Sequence, residues 1–261
     1  MTPFPRVSCF RAQLSLASSL MVFLPAAALE SEPEEPFWLS TIRRNAELPA
    51  ETALHVSNRY GDVRARGLDS GPLEVIAAVQ RFEEDQPEAE IQIREENGAL
   101  RVEVHFPSAD SPEPGDPLQG RVDVTVMVPR GSELHLESDH GLVEARGVDR
   151  DLYARSREGR LELITSRPLD ARAERGDTQL LLQRSLPNRP HRIRSSSGDI
   201  QLNIPASEPL SLRARTGGEI ANQLSAEFAP FIEETGELRV GAAPFAIEIE
   251  SASGNIDLHS R

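Results

Sequence analysis

Lysine is missing from the 261 residues, so every one of the 28 basic side chains is an arginine. Cysteine occurs once, at Cys9. It falls inside the leader described below, too far from the cut to carry a lipid, so the processed chain has neither a disulfide nor thiol chemistry. There is no Gly-x-Ser-x-Gly elbow, no Gly-rich phosphate loop and no His-Glu-x-x-His pair, which removes the usual local signatures of catalysis. Helical periodicity with proper caps is also missing; residues 221–231 come nearest, and weakly, so helix should be scarce. Positive charge is short, 28 arginines against 42 acids, and an acidic balance argues against general nucleic-acid or anionic-membrane binding.

Met1 to about Ala28 reads as a secretory signal. Arg6 and Arg11 make a positive start without acids, residues 14–24 are apolar, and Ala26 to Ala28 offer small side chains for cleavage. An uncleaved anchor is the competing reading, but about eleven apolar residues are too few for the ~20 that span a bilayer, so no transmembrane segment is expected after cleavage. Removal takes two arginines and no acids, leaving 26 against 42, a net charge of −16. Residues 29–36, with the run ESEPEEP, are an acidic, proline-broken leader. Residues 37–261 then form one β domain, with N-terminal strands over 37–133 and a repeat array over 134–261.

The array repeats one pattern every 17 to 22 residues around Gly141, Gly159, Gly176, Gly198, Gly217/Gly218, Gly236 and Gly254, with an earlier copy at Gly61. Apolar residues stand seven and five places before the glycine and two and four after it, and a small residue stands three before. Leu134, Leu136, Ser138, Val143 and Ala145 are one example; Ile247, Ile249, Ser251, Ile256 and Leu258 are another. Each half alternates as a strand with one buried face, but the phase slips across the glycine. A straight strand would turn its second half inside out, so the glycine marks a corner, where positive φ costs little. A two-strand unit cannot bury its apolar face alone, and the copies must stack. The fold class is therefore all-β, a β-solenoid-like stack of two-stranded rungs, right-handed by the crossover preference. An antiparallel section precedes it, with strands over residues 73–82, 89–94, 99–106 and 121–128, and Asn97-Gly98 as a hairpin turn. The last copy, residues 246–259, is expected to end the stack, to be covered by residues 221–234, guarded by Glu248, Glu250, Asp257 and Arg261, or met by a second chain.

The opening LHVSNRYGDVRARG, the Val128-Pro129 step followed by ELHLESDHGLVEARG, and the S-x-x-G-D-I-x-L units at residues 195–202 and 251–258 resemble the putative adhesin domain family of bacterial exported proteins. The resemblance runs from about Leu39 to Arg261. It implies an all-β, solenoid-like fold of unknown function and carries over no catalytic residue.

Three constellations stand out. Asp177, Asp199, Glu219 and Glu237 directly follow their glycines; stacked at ~4.8 Å they could hold calcium, although Asp and Asn also favour such turns for their backbone bonds. Arg155, Arg172, Arg194 and Arg213, four places before their glycines, are expected to stack as an outward ladder with Arg157, Arg192 and Arg215 beside it. Guanidinium groups in that array could grip sulfate, phosphate or carboxylate of an anionic envelope polysaccharide, or simply pair with acids across rungs, Arg157 with Glu174 and Glu158 with Arg175. His135, Glu137, Asp139 and His140 resemble metal ligands, but one edge pair does not make the three or four converging ligands of a zinc site. No cofactor is expected. The sequence points to an exported, non-catalytic envelope or surface protein, periplasmic, on the cell surface or secreted, that binds a surface polymer or another envelope protein. A structural or assembly element of the envelope is the alternative, and a carbohydrate-active enzyme using paired carboxylates comes third.

Overall fold

Alternation on each side of the glycines becomes two strands that enter two different sheets. The computed structural model describes residues 38–81, 88–106, 120–131, 133–184, 189–206, 209–225, 228 and 231–261; the expected signal and leader lie outside them. The N-terminal strands are β1 (Trp38–Ala46), β2 (Ala53–Tyr60), β3 (Val63–Leu68), β4 (Leu73–Arg81), β5 (Glu90–Glu96), β6 (Ala99–His105) and β7 (Arg121–Pro129). The copy around Gly141 supplies β8 (Leu134–His140) and β9 (Val143–Val148), and that around Gly159 supplies β10 (Leu152–Glu158) and β11 (Leu161–Thr165). Next come β12 (Leu169–Arg175) and β13 (Thr178–Leu182), then β14 (His191–Ser197) and β15 (Ile200–Ile204). The last three copies give β16 (Leu212–Thr216) with β17 (Ile220–Gln223), β18 (Phe231–Glu234) with β19 (Glu237–Val240), and β20 (Ile247–Ser251) with β21 (Ile256–Ser260).

Among the described residues there is no α-helix, and residues 221–223, inside the segment nearest to helical periodicity, belong to strand β17. The strands form two large mixed sheets. The first runs β1-β4-β7-β3-β9-β11-β13-β15-β21-β17 and the second β18-β19-β16-β20-β14-β12-β10-β8-β2-β6-β5. Strands of successive copies pair in parallel, as β10 does with β8 and β12 and β11 with β9 and β13. Inward residues of both sheets, Leu134, Leu136, Leu152, Leu161, Leu163, Leu180, Ile193, Ile200 and Leu202 among them, are 0 or 1% exposed and share one core. The small residue before the bend has a task of its own. Ser138 and Ser156 are buried and donate to the carbonyls of Gly61 and Gly141, one copy back, at 2.9 and 3.5 Å.

Four expectations need correction. Positive φ is found at Gly61, Gly176 and Gly198 but not at Gly141, Gly159 or Gly254. What these corners share is close approach: a Cβ on any of Gly141, Gly159, Gly176, Gly198 or Gly254 would collide with the carbonyl of the glycine in the neighbouring copy, or with that of Gly61 for Gly141. The copy at Gly236 is no corner. Both its strands lie in the second sheet as an antiparallel hairpin, with Gly236 at φ 73° in the turn. The N-terminal section is only partly antiparallel. β4 pairs antiparallel with β7 and β5 with β6, but β7 runs parallel to β3 and β6 parallel to β2, which joins the section to both sheets. Asn97 and Gly98 do make the expected tight turn, with φ of 52° and 76°.

The fourth correction concerns order. β20 does not end the array; it sits between β14 and β16, and β21 sits between β15 and β17. The end of the second sheet is instead extended by β19, antiparallel to β16, with Leu238 and Val240 fully buried. Phe228, Leu224 and Phe231 pack against the same core, so the irregular segment does contribute cover.

Candidate binding face

Parallel pairing with aligned corners stacks the outward residues of the second sheet into columns. One reads Glu137, Arg155, Arg172, Arg194, Glu250, Arg215, Glu237 in strand order, and its neighbour His135, Tyr153, Asp170, Arg192, Glu248, Arg213, Arg239. Arg155, Arg172 and Arg194 are therefore brought together as expected. Arg213 is not: the corner at Gly217 and Gly218 is one residue shorter than that of the paired copy, Leu212 to Ile220 against Ile247 to Ile256, and Leu212 rather than Leu210 pairs with Ile247, so that Arg215 continues the ladder's column and Arg213 faces Glu248. The inserted β20 further separates Arg194 from Arg215 by Glu250.

Each arginine of the row has an acid at its side. Arg155 donates to Glu174 at 2.7 Å, Arg172 to Asp170 at 3.0 Å, and Arg194 lies 3.6 Å from Glu250. Arg157 is 3.8 Å from Glu174, and Arg175 pairs with Glu158. The bond from Arg155 holds the Glu174 carboxyl below its ordinary range, and the Asp170 bond raises the Arg172 guanidinium. All three row side chains keep 44 to 60% of their surface in solvent, leaving guanidinium N–H groups free for a further oxyanion. A shallow groove of about 590 Å³ beside the row is lined by Arg155, Arg172, Glu174, Arg194, Ser196 and Glu250. Upstream, His55, His135 and Tyr153 stack face to face at 4.0 and 4.3 Å. Burial, then His135 and Arg101, lower the His55 pKa.

The corner acids take a different part. Asp177 accepts from the Asp199 N–H at 3.1 Å, Asp199 from Asn255 N–H at 2.8 Å, and Asn255 from Glu219 N–H at 3.0 Å. Each side chain thus caps the backbone of the next copy, the turn role open to Asp and Asn. Glu237 is elsewhere, in the β18–β19 hairpin, where Arg239 and then Arg215 hold its carboxyl down to about 2. Among the described residues no group of three or more His, Cys, Asp or Glu is arranged to hold a metal ion. His135 accepts or donates at 2.9 Å with Glu133, while His140 pairs with Glu158 at 3.2 Å and stacks on Tyr60, so the two rings serve different neighbours.

Two features escaped the sequence reading. On the outer face of the first sheet Glu144, 4% exposed, is met by Arg66 at 2.7 Å, Arg146 at 2.5 Å and Arg64 at 3.7 Å. Buried Asp62 beside it binds Arg121 at 2.6 Å, Arg64 and the Leu142 N–H. This network ties β7, β3 and β9 together, and its only sequence sign was an excess of charge in NRYGDVRARG and GLVEARG. His191 occupies an inward position of β14 and is fully buried; only its departure from leucine or isoleucine marked it.

The described molecule is thus an all-β protein of two large mixed sheets with an outward row of arginines. No protein-family model matches the chain, and no curated protein does. Among solved structures it is similar to a putative cell adhesion protein from Clostridium sporogenes, at 10% identity and TM-score 0.47, over 86% of this chain and 100% of that one. A putative adhesin from Bacteroides fragilis aligns over 85% of this chain and 97% of its own, at 11% identity and TM-score 0.32. No described helix is long and apolar enough to cross a membrane.

Proposed function

We propose that this chain is an exported, non-catalytic surface protein whose second sheet binds oxyanions of an envelope polymer along Arg155, Arg172 and Arg194. In this reading residues 1–28 are the removed signal, 29–36 a leader, and 37–261 a right-handed coil of stacked strand pairs begun by the N-terminal strands. The observation that carries it is the row itself. Like charges directly opposite one another on paired strands cost stability, of order 0.2–1 kcal/mol per pair. Yet Arg155 faces Arg172 and Arg172 faces Arg194 in exact register, on a chain otherwise rich in acids. A face serving stability alone would alternate sign here, as it does farther along at Glu250 and Arg215.

Heparin chromatography of the chain without residues 1–28 tests this. The protein should be retained at low salt and released steeply as the screening length falls to ~8 Å near physiological strength. Arg155→Gln with Arg172→Gln should abolish retention and leave the thermal midpoint nearly unchanged. A wild type that passes unretained at low salt would reduce the row to a solvated face. The alternative, an assembly element, is favoured by the out-of-order strand β20.

A further inference from the structure

The placement of β20 is matched by its charges. Its sequence, Ile-Glu-Ile-Glu-Ser, points Ile247 and Ile249 inward and Glu248 and Glu250 outward. Both flanking strands present only arginine at the matching outward places, Arg192 and Arg194 on β14 and Arg213 and Arg215 on β16. Glu248 lies 3.6 Å from Arg192 and 3.2 Å from Arg213. Were β14 and β16 direct neighbours, as their order in the chain suggests, four arginines would face one another in two pairs. The acidic strand relieves both seams at once. Its inward residues meet a slot of the same design, since SASGNIDL of β20–β21 nearly repeats SSSGDIQL of β14–β15.

We propose that this slot is a docking site for copies of the chain: the β20–β21 segment of one molecule can occupy the basic slot of a second, and the reverse. The segment is tied to β19 by residues 241–246 alone on that side, and six residues reach about 20 Å when extended. In the exchanged pair every hydrogen bond, ion pair and buried isoleucine that β20 and β21 make in the closed molecule is remade, because donor and acceptor are the same sequence. Only the hinge conformation and the entropy of association separate the two states, so concentration decides between them. The charges supply selectivity: a strand lacking acids at both outward places would deprive Arg192, Arg194 and Arg213 of their partners on β20, while Arg215 keeps Glu237. This inference shares Arg194 with the proposed oxyanion row, whose Arg155 and Arg172 lie outside the slot, and does not rest on that reading, because the position of a crosslink and not anion binding reports the exchange.

Crosslinking in full chains tests it, in a Cys9→Ser background. Arg194 and Glu250 are cross-strand partners on the solvent face, so Arg194→Cys and Glu250→Cys should both fold. A chain with both changes should close an internal disulfide when dilute, which verifies the geometry. Separate pools carrying one change each are then mixed at high concentration, passed through mild denaturant, returned and oxidised. Exchange predicts a covalent dimer on a non-reducing gel, joined between positions 194 and 250 by peptide mapping and increasing with protein concentration. Its yield should collapse when the Glu250→Cys pool also carries Glu248→Arg. An internal bond in the double variant with no 194–250 dimer from the mixed pools would overturn the proposal, as would a dimer yield indifferent to Glu248→Arg. Arg192→Cys with Glu248→Cys, the adjacent pair, repeats the measurement if either first variant fails to fold.

Discussion

His191 takes the place in β14 that Leu134, Leu152, Leu169 and Ile247 take in β8, β10, β12 and β20. Its Nε2 reaches the Arg184 carbonyl at 3.2 Å, and its Nδ1 has no partner among the described residues. Burial lowers its pKa from 6.5 to about 4, against an opposing pull from that carbonyl. The unfolded chain therefore binds a proton on this ring that the folded chain refuses. Stability from the neutral ring is complete above pH 6.5 and is lost as pH falls towards 4, by ~3 kcal/mol over the window. Urea midpoints taken from pH 7.5 to 4 should show this slope in the wild type, and His191→Leu should flatten it over the same range. An unchanged slope in the variant would assign the acid sensitivity to carboxylates instead.

Between residue and fold stands the strand pair with its corner. Leu163 is 1% exposed and inward, whereas Glu162 beside it faces solvent and pairs with Arg160 at 3.4 Å. Leu163→Ala should cost ~2–5 kcal/mol and Glu162→Ala under ~1 kcal/mol, read from denaturant midpoints at equal slope. Equal losses would mean the inward register is wrong. This much was legible in the sequence, because period-two alternation and its phase slip at glycine are local facts. The site was legible to the same depth: Arg155, Arg172 and Arg194 share a spacing from their glycines and do share a column. Arg213 has that spacing too, yet its corner is one residue shorter than the others and β16 pairs two places out of that count, which moves it aside. The hairpin at Gly236 was hidden because a turn glycine and a corner glycine look alike in a string of letters. Of the acids that pair with the row, Asp170 shares β12 with Arg172, whereas Glu174 and Glu250 reach Arg155 and Arg194 from other strands, and no spacing within one copy reveals those two.

At the scale of the molecule, the order of strands in space is not their order in the chain, and the charges of β14, β20 and β16 match that order. A chain ending at residue 241 would lose β20 and β21 and leave arginine against arginine across the gap. Trypsin should then cut at Arg192, Arg194, Arg213 and Arg215 while residues 134–182, whose strands pair among themselves, stay protected. Protection of all four arginines in the shortened chain would mean that β14 and β16 can close on each other. The same arrangement sets a schedule. A chain delivered from its N-terminus can complete β8 to β15 as it emerges, but β16, β18 and β19, paired among themselves, and β17 join the array only when residues 247–260 arrive. Residues 212–246 thus wait as an unfinished flap, and β20 and β21 enter as a wedge between strands that precede them in the chain.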